Sequence, residues 1–364
     1  MTTKWQFDRE FLIKTINEGQ LILKDPKTHK QQKPLIQADI NDFNNFLNNN
    51  FNSSQNDTST PPKDIEKLKS YILRKMQNQY KTLGEDVIRW AITLSAENIF
   101  DITGTTKNFK KKKSAISIEE QAELTLKNYK EHSKLYYEIA KHIIKIENPS
   151  QIQLITKSKK PASYCRHNFI NHIPFIIINE NDESWALNHE VQHAIEEIIN
   201  YETPYFYDEL GATYFELLFS DELYKHQGKI SMNEYKDKII TTDRLIATNA
   251  IYFITMLEFA RKNFDITTND FINAFSQNYG INPKKTIKLL RNQIATDSID
   301  EDINYVFSYL KAIELREKTT ERKIDSAEIL EPYINQQNFH FNIPEDKNKP
   351  YERFIEEVKA KTKK

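Results

Sequence analysis

"LNHEVQHAIEEI", residues 187–198, decides how the rest of the chain is read. It carries two histidines four positions apart, His189 and His193, with Glu190 directly after the first. Residues four apart share one face of a helix, so both imidazoles can reach a single ion. On a helical wheel with His189 at 0°, His193 falls at about 40°. Leu187, Val191, Ala194, Ile195 and Ile198 fall between roughly 140° and 240° on the same scale. The apolar stripe is therefore nearly opposite the histidines. Such a helix buries one face in a core and turns its imidazoles to a cleft, whereas core histidines would lie inside the stripe. Glu190 sits about 100° from His189 and is poorly placed to bind the same ion. It can instead take a proton from a metal-bound water.

A bare H-E-x-x-H also arises by chance, so a third ligand must decide. A zinc site that does chemistry uses three protein ligands and leaves one position for water. Downstream lies "YDELGATYFELL", residues 207–218. On a helix, Glu209, Ala212, Thr213, Glu216 and Ser220 share a small, polar face, which allows close approach to the histidine helix. Spacing alone leaves both Glu209 and Glu216 open as the third ligand. Pro204, in the intervening segment, permits the chain to double back.

The pair "HEVQH" and "ELGATYFE" resembles the gluzincin metallopeptidases, whose third ligand is glutamate. The second segment is similar to the N-E-G-F-A-T-Y-F-E run of the aminopeptidase N family, and thimet oligopeptidase is a looser relative. The resemblance covers roughly residues 175–220. It implies that His189, His193 and Glu209 bind Zn2+, that Glu190 is the general base, and that Glu216 stands behind a ligating histidine as its hydrogen-bond partner. It also implies that the strand Pro174–Asn179 is an edge strand that pairs with an extended peptide. Three departures stand beside it. The spacer 194–208 is shorter than that family's, Asp208 stands where the family has Asn, and no G-x-M-E-N segment lies upstream to hold a free amino terminus. Zinc-dependent peptide hydrolysis carries over; the exopeptidase mode does not. The expectation is a protein-directed endopeptidase, with a bacterial effector as one setting. The alternative is a catalytically silent peptidase-fold protein that binds a partner protein, with residues 1–62 as the docking arm. An oxyanion stabiliser is also expected, with Tyr252, Tyr279 and His226 as downstream candidates.

The chain around this motif reads as α+β: a zincin-like core of a small sheet plus the H-E-x-x-H helix, with a mostly helical C-terminal part. "QIQLITK" (151–157) and "IPFIIIN" (173–179) are short β-branched runs and predict strands. Ser117 and Glu120 have capping-box spacing for a long helix through about Ile146. Helices are expected over 64–100, 183–200, 208–225, 232–263, 268–278, 283–296 and 301–318. Near the N-terminus the reading is a short helix, a hairpin around "LILKDPKTHKQQKPLI", then a helix near Asp39–Leu47. "NNNFNSSQNDTSTPP" (48–62) predicts a linker. Three parts result: an N-terminal segment and linker (1–62), a helical and catalytic core (63–225), and a helical C-terminal part with a charged tail (226–364).

Bulk properties narrow the class. The chain has 364 residues, 38% hydrophobic and 28% charged, with a formal net charge of -1. That suits a soluble globular protein and gives no general attraction to nucleic acid or an anionic membrane. The runs Lys110–Lys113 and "KAKTKK" at the end read as solvated. No stretch is apolar enough to span a bilayer, and "MTTKWQFDREFLIKTINEGQ" lacks the apolar centre of a signal peptide. The expected location is cytoplasmic, or exported without a cleaved N-terminal signal. The single cysteine, Cys165, excludes an internal disulfide and reads as a buried thiol. His167 and His172 read as loop histidines ahead of the second strand.

Overall fold

Five residues, Phe175–Asn179, organise the molecule. The run FIIIN forms a strand buried on both faces, so both must be covered. Alternation along the strand divides its side chains between two cores. Ile176 and Ile178 enter the larger core, and Phe175 and Ile177 the smaller one. In the computed structural model of the chain, the described residues are 9–48, 90, 116–144, 152–155, 163–172, 174–179, 182–199, 201, 203–204, 207–225, 299–335 and 349–362, with isolated positions between 270 and 282.

The described elements run, in chain order, α1 (Arg9–Lys24), α2 (Gln32–Leu47), α3 (Ile118–His132), α4 (Lys134–Ile144), β1 (Ile152–Ile155), β2 (Tyr164–Arg166), β3 (Phe175–Asn179), α5 (Ala186–Ile199), α6 (Leu210–Lys225), α7 (Ile299–Arg322), α8 (Ser326–Ile334) and α9 (Lys349–Thr362). The three strands form one sheet in the order β1-β3-β2. β1 runs parallel to β3, pairing Ile152 with Ile176 and Ile155 with Asn179. β2 runs antiparallel to β3, pairing Tyr164 with Ile177 and Arg166 with Phe175. The expected edge strand, 174–179, is therefore the central strand, and β2 forms the edge beside α5. No described helix is long and apolar enough to cross a membrane.

The smaller core corrects the N-terminal reading. "LILKDPKTHKQQKPLI" is not a β-hairpin: α1 continues through Lys24, and α2 begins at Gln32 with Pro34 in its first turn. Proline is tolerated there because the first-turn N–H groups have no helical partner. Leu12 and Ile16 on α1 and Ile36, Ile40 and Phe43 on α2 repeat at helical spacing and pack on Phe175 and Ile177. Arg166 of β2 closes the contact by an ion pair with Asp39, Nη2 to Oδ1 at 3.0 Å, and by a second pair with Asp42.

The helix expected from Ser117 through about Ile146 is two helices. Ser117 caps α3, its side chain accepting from the Glu120 N–H. At Ser133 the backbone turns extended, and its hydroxyl accepts from the Tyr136 N–H at the start of α4. A serine that can cap its own following turn competes with the helix ladder, and here it wins. The expected strands 151–157 and 173–179 appear as β1 and β3. β2 was expected as loop. Helices expected over 64–100, 232–263, 268–278 and 283–296, and the 48–62 linker, fall outside the described residues apart from isolated positions.

Candidate metal centre

Helix α5 carries the H-E-x-x-H motif with its apolar stripe inward. Leu187, Val191 and Ile195 are fully buried, and Ala194 nearly so. Ile198, at the end of that stripe, is exposed. α6 crosses α5 at Gly211, where a Cβ would stand 1.8 Å from Glu196 Oε1 and 3.0 Å from Gln192 Nε2. A side chain here would have to push the Glu196 carboxylate aside, so glycine leaves that carboxylate in place at the crossing. The approach brings the glutamates of the second segment against the histidines of the first.

Glu209 is the residue immediately before α6, and its carbonyl accepts the first helical hydrogen bond, from the Thr213 N–H. Its Oε2 lies 3.2 Å from His189 Nε2 and 3.4 Å from His193 Nε2. The two Nε2 atoms are themselves 3.1 Å apart. His189, His193 and Glu209 thus place one ligand atom each at the corners of a nearly equilateral triangle. A tetrahedral zinc with bonds of about 2.0–2.1 Å needs ligand atoms about 3.3 Å apart. Glu209 Oε2 is buried and makes no well-formed hydrogen bond to either imidazole. The donor set, spacing and unsatisfied oxygen fit a zinc ion. Cys165 lies outside this cluster and packs against the larger core.

Glu216, one residue short of two turns into α6, takes the other side of His189: its Oε1 lies 2.7 Å from Nδ1. With its Nδ1 proton held there, a neutral His189 offers the Nε2 lone pair toward the triangle. Glu209 and Glu216, equivalent by spacing, therefore meet opposite edges of the same imidazole.

Electrostatics follow from this packing. Burial alone would raise the Glu209 carboxyl, but the positive charge of His193 and His189 close beside it holds it well below the usual range. Burial opposes protonation of both histidines, yet Glu209 pushes His193 up to about 9, and Glu216 and Glu209 raise His189 well above its usual value. Glu190 behaves differently. Burial raises its carboxyl above the usual range, against the pull of His189 and His193. The Cys165 N–H of β2 donates to it, fixing the carboxylate beside the histidines.

A further group enters from α7. Tyr305 brings its hydroxyl beside Glu209, and burial followed by the charge of Glu209 raises its pKa well above the usual range. The phenol stays protonated as a donor. The three residues expected in that role, Tyr252, Tyr279 and His226, fall outside the described residues. Tyr305 sits in a regular helical pattern, and nothing in its immediate sequence distinguishes it from tyrosines that only pack.

Compared with protein families and with curated proteins, the sequence gives no match. Among solved structures, the chain gives a match to a candidate peptidase from Chlamydophila abortus, at 12% identity and TM-score 0.47, over 96% of this chain and 62% of that one. A candidate oligoendopeptidase F follows at 11% identity and TM-score 0.47, over 95% and 70%. A candidate lipoprotein from Colwellia psychrerythraea gives 14% identity and TM-score 0.37, over 96% and 69%. The chain thus spans less than two thirds of the first structure's length. The functional reading rests on the site itself.

Proposed function

We propose that this chain is a zinc-dependent peptidase that cleaves internal peptide bonds of protein substrates. The carrying observation is the convergence of His189 Nε2, His193 Nε2 and Glu209 Oε2 beside the Glu190 carboxylate. Zinc held by those three atoms would supply a Lewis acid for the substrate carbonyl and a water whose pKa falls toward about 7.

The chain's own groups divide the remaining work. Glu190 takes a proton from the attacking water and delivers it to the leaving amine. Its burial suits it to hold that proton between the two transfers. Glu216 keeps His189 in the tautomer that offers Nε2. Tyr305 presents a protonated hydroxyl at the same spot, where it can donate to an oxygen gaining negative charge. β2 supplies the pairing edge. Among the described strands only β3 pairs with it, so an extended substrate can add to its outer side. The endopeptidase mode follows from the missing segment for a free amino terminus, and protein substrates reaching the edge strand are the partners it implies.

The test is metal content coupled to cleavage. The purified chain carries about one zinc. Chelation abolishes cleavage of an unfolded protein substrate, and zinc restores it. A well-folded chain without stoichiometric metal, or cleavage indifferent to chelation, overturns the proposal.

A further inference from the structure

The face of α5 that carries His189 and His193 continues one turn further to Glu197. Each four-residue step advances about 6 Å along the axis and about 40° around it, so the three side chains form one ribbon leading away from the metal centre. Glu197 is reachable, with 28% of its side chain exposed. Its Oε2 is nevertheless buried and accepts no hydrogen bond from the described residues. Among these, the group within ion-pair reach that could carry positive charge is His167 Nδ1, 3.4 Å away. Burial and the neighbouring His172 keep His167 toward its neutral form, so among the described residues Glu197 has no lysine or arginine as a permanent counter-charge.

The strand beside it gives Glu197 a place in the substrate path. Cys165 donates its N–H to Glu190, and His167, two residues later, reaches Glu197. β2 and its continuation therefore run alongside α5 in the same sense, from the reacting end toward Glu197. Glu197 lies seven residues, about 10 Å, beyond Glu190 on the helix. An extended peptide covers that distance in about three residues. Laid antiparallel on the outer edge of β2 with its reacting carbonyl at Glu190, it carries a side chain from its N-terminal portion over Glu197.

We infer that Glu197 is a selectivity determinant, taking a lysine or arginine side chain two or three residues to the N-terminal side of the cleaved bond. The inference rests on the peptidase reading and adds a substrate class to it. A long cation brings the buried oxygen the charge-assisted hydrogen bond it lacks.

Two measurements on the full-length, zinc-loaded protein test it. Wild type is given a proteome-derived peptide library and its cut sites are mapped; lysine and arginine are enriched at that position. Binding is then measured without turnover on Glu190→Gln protein, with matched short peptides carrying Lys, Gln or Glu there. The Lys peptide binds about tenfold tighter than the Gln peptide. Adding Glu197→Gln brings that ratio near one, and Glu197→Arg makes the Glu peptide the best ligand. A cut-site profile without basic enrichment, or a Lys preference that survives Glu197→Gln, overturns the inference. If nothing is cleaved but the Lys preference appears and depends on Glu197, the peptidase reading fails and the recognition site stands.

Discussion

Helix α6 and the residue before it carry buried carboxylates in two groups, and the two are closed in different ways. Asp221 and Glu222, toward its C-terminal end, meet cations from the chain itself. Arg316 grips Asp221 with two hydrogen bonds of 2.9 Å and Glu357 with two more, and Lys361 adds a contact to Asp221 at 3.0 Å. Glu222, whose side chain is fully buried, lies 2.6 Å from both Lys127 and Lys225. Burial would raise both carboxyls, but their cations hold them below the usual range. At the other end, Glu209 meets two imidazoles and a phenol. Among the described residues no lysine or arginine is within ion-pair reach of it. A charge cluster neutralised by permanent cations has nothing left to bind and serves to fasten helices. A cluster of carboxylate and imidazole donor atoms aimed at one point has the donor set that suits a dication.

Glu190→Gln is the sharpest way to break this comparison. Glutamine keeps the shape and leaves the ligand triangle intact but cannot take a proton. Cleavage falls by about 10²–10⁴-fold, the usual worth of a positioned base, while zinc per chain is unchanged. Loss of metal along with activity would show that Glu190 belongs to the ligand set and not to the chemistry.

Arg316→Ala attacks the closed region. It leaves Lys361 to hold Asp221 and Glu357 and removes the guanidinium from the Phe354 ring, 5.5 Å from its centre. Losing these charge-assisted hydrogen bonds, which Lys361 replaces only in part, costs about 1–3 kcal/mol, read as a lower denaturant midpoint. Zinc affinity of the remaining folded protein stays at the wild-type value. A fall in zinc affinity at constant foldedness would mean the two ends of α6 are coupled and the distinction between them fails.

Only the open half of this contrast is legible in the sequence; the pairing of Asp221 and Glu222 with cations from distant segments is not. Four-residue spacing and the wheel placed His189 and His193 off the apolar stripe, because helix periodicity is local. The same periodicity left Glu209 and Glu216 indistinguishable. What separates them is that Glu209 precedes the first turn of α6 while Glu216 sits mid-helix, and that depends on how α6 crosses α5 at Gly211. Tyr305 was invisible because its role exists only where α7 packs along α6, 96 positions beyond Glu209. β2 is three residues long and has no period to detect; it is a strand because β3 offers it a ladder. The α1–α2 pair was misread for a related reason. Asp25-Pro26 is a turn signal, but the helices on either side of that turn are held by packing on Phe175 and Ile177.

Glu216→Gln sharpens the open region from behind. The amide can still meet His189 Nδ1, but it no longer carries the charge that makes His189 a better ligand. Zinc affinity drops about 10–100-fold, the usual loss when a histidine's supporting carboxylate is removed. Titration against a competing chelator reads it. An affinity within twofold of wild type would reduce Glu216 to a solvated neighbour.

Glu196→Gln gives the smallest effect and opposes the usual sign of a core mutation. Glu196 lies one turn beyond Gln192, buried under Gly211, with Gln192 Nε2 donating to its Oε1 at 2.8 Å. Unlike Asp221 and Glu222 it meets no lysine or arginine among the described residues, and burial pushes its carboxyl from 4.5 up to about 7. Its folded-state pKa lies above the unfolded one, so the folded chain binds the extra proton between those two values. The stabilisation this proton brings is complete below about pH 4.5 and is lost as pH rises through 7. Above that range the buried charge costs up to roughly 3 kcal/mol. Glutamine avoids the charge and can still accept from Gln192, but its own N–H groups need partners, which takes back about 1–2 kcal/mol. The variant is therefore more stable than wild type by about 1–2 kcal/mol at pH 8, and the gain shrinks as pH falls toward 5. Urea midpoints at the two pH values measure it. A gain that persists at pH 5, or a loss at pH 8, would mean that Glu196 has a cationic partner and belongs with the closed end of α6.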